Sequence, residues 1–347
     1  MSPRGRDWSS LRLLLPAGLL GLLAPATAAA QPLTLVQTIA MPEVPSGPYA
    51  DHMALDVKGQ RLFTTPQAQK AVVVLDLRAG KVLHTIRGFA NPHAILYRED
   101  RNRLFVTDGS GALVVLDASS YRRIRSLPLE PDADGIAYDA GAGVLYVSNG
   151  GAEAGTAYSL ISVIDTAAEA KVGDIRVEAP ALEAMVVDEA QQRLYVNMPE
   201  NNLIGVVDLR KRTLIDTWPL RLARRNEAFA LDAEHHRLYV GCNEGDMRGS
   251  LLVVDTQTGK ELQKLPLGSW VDSMSIDTRR HRVYASTGIG EVFIYQRGAE
   301  GGMRPLPGID TAVMARTSLF SAELDRLFVM VPHLGWTTAK VLVFKPG

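Results

Sequence analysis

Cysteine is almost missing from this chain: Cys242 is the single one in 347 residues, so no internal disulfide can form. With no C-x-x-C pair, covalent haem attachment of the C-x-x-C-H kind is excluded. The chain also lacks H-E-x-x-H, G-x-S-x-G and a Walker glycine loop, and with them the usual zinc-protease, esterase and P-loop signatures. Charge of one sign is missing too, since 37 basic residues face 38 acidic ones. The longest apolar run, Leu13 to Ala24, is interrupted by Pro16 and Gly18 and is too short to span a bilayer as a retained helix.

That run follows Arg4, Arg6 and Arg12 and precedes Ala28-Ala29-Ala30, an A-x-A site. The pattern predicts a Sec-type signal peptide over residues 1–30, cut near Gln31. No Cys follows the cleavage region and no twin Arg precedes it, so neither a lipoprotein nor twin-arginine export is expected. The expected location is periplasmic or secreted, with no membrane anchor after cleavage. There a lone thiol is either buried or functional, and the position of Cys242 at the end of an apolar run (LYVGC) favours burial.

Without the leader 34 basic and 37 acidic residues remain, a net charge of −3. Such a protein has no general field for polyanions, and its one basic cluster, Arg221 to Arg225, reads as a solvated loop. The expected partner is a small molecule or a periplasmic protein rather than nucleic acid, bound by a monomer.

What the chain does have is a repeat. Asp188 to Val196 (DEAQQRLYV) and Asp232 to Val240 (DAEHHRLYV) share one pattern, and aligning on its Arg gives Arg61, Arg103, Val144, Arg193, Arg237, Arg282 and Arg326. The spacings are 42, 41, 49, 44, 45 and 44 residues, the period of a propeller blade. Within the fourth repeat, Ala184–Val187, Arg193–Asn197, Leu203–Asp208 and Thr213–Leu220 read as four short strands. The expected fold is all-β, a seven-bladed propeller of four-stranded blades occupying residues 31–347 as one domain.

The last repeat lacks a fourth strand of its own, whereas Thr34 to Ala40 (TLVQTIA) matches the fourth-strand pattern of Lys81 to Arg87 (KVLHTIR). An open ring would leave two unpaired edges, so the N-terminal strand is expected to complete the last blade. Gly150–Tyr158 and Asn243–Gly249 are inserts between second and third strands, and Gly288-Ile289-Gly290 falls in the same hairpin position.

The run Arg193-Leu194-Tyr195-Val196-Asn197, with Val206-Val207-Asp208 after it, resembles the YVTN-type β-propeller repeat of secreted bacterial and archaeal proteins. The resemblance covers residues 33–347 and implies the fold. Similar seven-bladed proteins serve as lactonases, lyases, binding modules and partners of redox enzymes, so it does not choose a function.

Ten residues before the repeat Arg, where the chain enters each innermost strand, stand Asp51, His93, Asp134, Glu183, Glu227, Asp272 and Arg316. All are ionisable. An acid there caps a turn, as the second recurrent acid does at Asp56, Asp139, Asp188, Asp232 and Asp277. Turn capping does not call for His93 or Arg316, however, and a charged ring at the channel mouth is the functional alternative. His52, His333 and Trp336 are expected beside it, with Arg316, His333 and Trp336 meeting Asp51, His52 and His93 in a sector able to pair with an anionic group. His84, His235, His236 and His281 fall in outer strands or turns and carry no assignment.

Three functions stay open on these residues. The first is a binding or scaffold protein presenting the mouth to a small molecule or protein partner. The second is a lactonase or lyase in which Asp134, Glu183, Glu227 and Asp272 hold a divalent cation, Ca²⁺ or Zn²⁺, although these acids are expected to stand without metal. The third is a partner of a periplasmic dehydrogenase.

Overall fold

The computed structural model describes residues 31–347, and the expected signal peptide lies outside them. They form seven four-stranded antiparallel sheets arranged as the blades of a propeller, with strands in sequence order from the axis outwards in six of them. In the seventh, Leu33–Ala40 is the outermost strand and pairs antiparallel with Lys340–Pro346, from Leu33 opposite Pro346 to Ala40 opposite Lys340. The expected closure is the observed one.

The core is divided among seven interfaces between adjacent blades. Third strands such as Ala71–Asp76 (AVVVLD) and Ala112–Asp117 (ALVVLD) are apolar along their length because neighbouring blades cover both of their faces. The aromatic of each repeat, Phe63, Phe105, Tyr146, Tyr195, Tyr239, Tyr284 or Phe328, is at most 2% exposed. Phe63, for example, packs with Ile95, Leu104 and Val106 of the second blade. Cys242 is fully buried in the cluster between blades four and five.

The recurrent polar residues close turns and join blades. Asp56 accepts from the Gly59 amide at 2.8 Å and from the Arg61 guanidinium at 2.8 Å, and Asp76 accepts from the amides of Arg78 and Ala79. The repeat Arg reaches into the next blade, as Arg61 donates to the Ala118 carbonyl and Arg103 to Glu169.

The two inserts differ. Gly151–Ala154 is a short 3-10 turn. Residues 243–249 instead lengthen the second and third strands of blade five, and the hairpin turns at Asp246 and Met247 with φ of 53° and 63°. Two consecutive left-handed residues are what a tight two-residue hairpin requires.

Candidate functional site at the channel mouth

Innermost strands from neighbouring blades adjoin all the way round the axis. The ring positions fall where their pairing with the second strand is broken. In blade one, Asp51 and His52 together oppose Thr65; in blade two, His93 and Ala94 oppose Thr107. Register shifts recur at Glu227 and Asp272. Asp134 and Glu183 lie just before strands Ile136–Asp139 and Met185–Asp188, and Arg316 just before Thr317–Ser321. A bulge re-aims a side chain, which is how a strand otherwise packed between neighbours presents one residue to the channel.

Hydroxyls on the second strands of blades one and two, and one on the innermost strand of blade seven, bond to the neighbouring blade at these positions. Thr65 donates to the His93 carbonyl of the next blade at 2.6 Å, and Thr107 to that of Asp134 at 2.8 Å. Thr317 Oγ1 lies 2.7 Å from the Ala50 carbonyl oxygen of blade one and 3.1 Å from Asp272 Oδ2 of blade six. Thr65 and Thr107 gave no signal in the sequence beyond a small polar residue four places after the repeat Arg, and Thr317 none beyond following Arg316.

Asp51, His93 and Asp134 meet. His93 Nδ1 lies 2.8 Å from Asp51 Oδ2 and 3.2 Å from Asp134 Oδ1. Gln67 donates its side-chain amide to Asp51 Oδ2 at 3.1 Å, and the Asn91 amide lies 2.7 Å from His93 Nε2. Burial disfavours a charge on His93, but its hydrogen bonds to Asp134 and Asp51 outweigh that and push the pKa up to about 11. Burial likewise opposes the charge on Asp51, yet the His52 and His93 charges hold its carboxyl well below the usual range. Held as a cation, this imidazole is not a general base near neutral pH.

Across the mouth the acids crowd without such relief. Burial and then the neighbouring charges of Glu227, Asp134, Asp272 and Asp132 push Glu183 well above the ordinary glutamate value. Burial also raises Glu227, which Asn243 partly stabilises, and Asp272, which Arg316 and His52 partly offset.

Arg316 faces Asp272, with Nε 3.9 Å from Oδ2, and its guanidinium lies 5.2 Å from the centre of the Tyr49 ring. Asp272, Asp51, Glu227 and Glu183 lie close enough to favour its charge, and its buried Nε has no hydrogen-bond partner. His333 turns instead to the loop before blade one, where Nδ1 lies 2.8 Å from the Val44 carbonyl oxygen. Trp336 stands fully in solvent, and neither residue contributes a hydrogen bond or ion pair to Asp51, His52 or His93. His235, outside the ring, pairs with the turn carboxylate of Asp232 at 2.8 Å.

Among the described residues, the group that brings three metal-binding side chains within 4.8 Å of one another is Asp51, His93 and Asp134. No three of Asp134, Glu183, Glu227 and Asp272 come as close.

The exposed large apolar side chains sort into two sets. Leu35, Val36, Leu83, Ile124, Val172, Ile215 and Leu262 lie on outermost strands. Tyr49, Leu222, Met247, Trp270, Val313 and Trp336 all lie in loops on the mouth face. Trp270 has φ of 57°, but Asp132, Arg225 and Met314 adopt the same left-handed conformation two residues before their own ring positions, so this is a recurrent loop shape.

No family model matches the chain. Over 98 residues it is 33% identical to the uncharacterized protein YncE of Salmonella typhi and 32% identical to YncE of Salmonella typhimurium. The matched stretch is 28% of this chain and 28% of the length of these relatives. Among solved structures, a chain of the Kuenenia stuttgartiensis hydrazine synthase superposes with a TM-score of 0.69 at 16% identity, over 81% of this chain and 92% of that one. The WD40 repeats of RRP9 superpose with a TM-score of 0.74 at 14% identity, over 92% and 98%. At these identities the likeness establishes the fold, an all-β seven-bladed propeller.

Proposed function

We propose that this protein is a periplasmic binding or scaffold protein of the YVTN type, exported by its signal peptide, whose channel mouth receives a cationic group carried on an apolar body. The observation that carries this reading is the charge balance of the mouth. Asp51, Asp134, Glu183, Glu227 and Asp272 outnumber His93 and Arg316; His93 lies between the carboxylates of Asp51 and Asp134, and Arg316 Nε is 3.9 Å from Asp272. An added positive charge relieves the crowded acids, whereas a carboxylate or phosphate is repelled. Tyr49, Trp270, Val313 and Trp336 on the same face supply apolar and aromatic surface around the well.

A small amine and a protein partner inserting a Lys or Arg share this chemistry. Calorimetric titration in the presence of a chelator with alkyl amines, arylalkyl guanidines, Arg-containing peptides and matched carboxylates tests it. Cations bind and carboxylates do not; Glu227→Gln weakens the cations. Preference for the carboxylates, or equal binding by Glu227→Gln, overturns the proposal.

A further inference from the structure

We propose that Asp51, His93 and Asp134 form a binding site for one divalent transition metal of the Zn²⁺ class, a deeper reading of the same mouth that rests on its being the ligand site. The three residues come from blades one, two and three, and each places one donor atom within 4.8 Å of the other two. The separations from His93 Nδ1, 2.8 Å and 3.2 Å, approach the ~3.3 Å edge of a tetrahedron with metal–ligand bonds of about 2.0–2.1 Å. A fourth donor is at hand, because the Gln67 amide lies 3.1 Å from Nδ1 and a half-turn presents its oxygen.

The surroundings fix the imidazole independently of the two carboxylates. Asn91 sits 2.7 Å from Nε2, and with its carbonyl oxygen turned inward it takes the Nε2 proton and leaves Nδ1 with a lone pair for a metal. Asn91 is held in turn, since the buried Asp108 accepts from the Ala90 and Asn91 amides at 2.8 and 3.1 Å. The ring packs on Gly109, where an added Cβ would lie 2.9 Å from Nε2 and 3.1 Å from the Asn91 amide nitrogen. Gly109 has an ordinary negative φ, so what a glycine provides there is room for His93 and Asn91.

The donor set selects the ion. One imidazole nitrogen with two carboxylate oxygens suits Zn²⁺ and its neighbours, whereas Ca²⁺ requires six or more oxygens. On binding, the ion replaces the proton on His93 Nδ1, which passes to solvent. Asp134 is the most exposed of the three, its side chain 27% accessible, so the ion enters from its side.

The test is calorimetric titration of the chelator-stripped protein with Zn²⁺, alone and against excess Ca²⁺, with metal content measured after dialysis. The expected result is one Zn²⁺ per chain at micromolar affinity or tighter, about tenfold or more weaker in Asp134→Asn. Gly109→Ala, which keeps every donor but displaces the ring, weakens it as well, and His235→Ala leaves it unchanged. Absence of binding, unchanged affinity in folded Asp134→Asn and Gly109→Ala, or Ca²⁺ binding as tightly as Zn²⁺ overturns the metal site. Organic cations titrated in chelator report separately, so loss of one result leaves the other standing.

Discussion

Arg282 donates to the carbonyl oxygen of Gly347 at 3.0 Å, so a side chain of blade six anchors the residue that follows Lys340–Pro346, the strand that pairs with the closing strand of blade seven. The same guanidinium reaches the Pro32 carbonyl at 3.4 Å, and Arg280 joins at Gly347 with 3.1 Å. Both strands of the closing pair are therefore held from a neighbouring blade.

A chain beginning at Met41 lacks the closing strand and with it Leu33 and Ile39, which are 1% and 0% exposed. It is expected to melt lower and less cooperatively, with the Lys340–Pro346 edge open to other chains. In the full sequence Ile39→Ala costs about 2–5 kcal/mol. A thermal scan in which the shortened chain matches the full one disproves closure as a source of stability.

Stability should rise as the pH falls from 8 towards 5. Glu183 has a folded-state pKa raised above its ordinary 4.5 by burial and by Glu227, Asp134, Asp272 and Asp132, with Arg316 acting the other way. The folded state then binds the proton more tightly than the unfolded one, so this stabilisation is present below about pH 4.5 and is lost as the pH rises through the raised value. Glu183→Gln should melt about 2 °C or more above the parent at pH 8 and converge with it near pH 4.5. Melting curves across pH that run parallel for the two proteins contradict this.

Gly109→Ala is expected to cost about 1–3 kcal/mol, because its Cβ meets His93 and Asn91 at 2.9 and 3.1 Å. Gly173→Ala, with nothing within 4 Å of its Cβ, is the neutral control. Denaturant midpoints that do not separate the two variants count against a preformed His93 site.

Thr65→Val removes the hydroxyl that donates to the carbonyls of His93 and His52 at 2.6 and 3.0 Å. The loss should be about 1–2 kcal/mol, because the buried His93 carbonyl loses this donor. The imidazole resonances of His93 should shift while those of His235 stay, which nuclear magnetic resonance would register.

Cys242 should not react with a thiol reagent until the protein unfolds, since it is fully buried and burial pushes its thiol pKa up. Labelling of the native protein within minutes would contradict that.

The sequence carried the architecture because each repeat spells the same local physics: Asp56 and Asp76 for two turns, Phe63 for the space between blades, Arg61 for the neighbour. Closure was legible for the same reason, as Thr34 to Ala40 repeats the fourth-strand pattern. The ring positions followed from phase alone. What phase could not supply was direction. Whether His93 turns to Asp51 or to Trp336 depends on a bulge and on Asn91, Gln67 and Gly109, which share no repeat pattern with other blades. His333 stood at a phase suited to the mouth, but the irregular loop before blade one captured it at Val44.

The hydroxyls of Thr65 and Thr107 bond to main-chain carbonyls, and that of Thr317 lies 2.7 Å from the Ala50 carbonyl oxygen and 3.1 Å from the Asp272 carboxylate. Spacing around the axis is thus set by backbone, and the chemistry shown to a ligand is set by side chains that carry little of the fold. A substitution at Glu183 or Glu227 alters the charge of the mouth and leaves these hydroxyl bonds in place. Lineages built on this scaffold can change what they recognise one residue at a time while the seven blades stay in register.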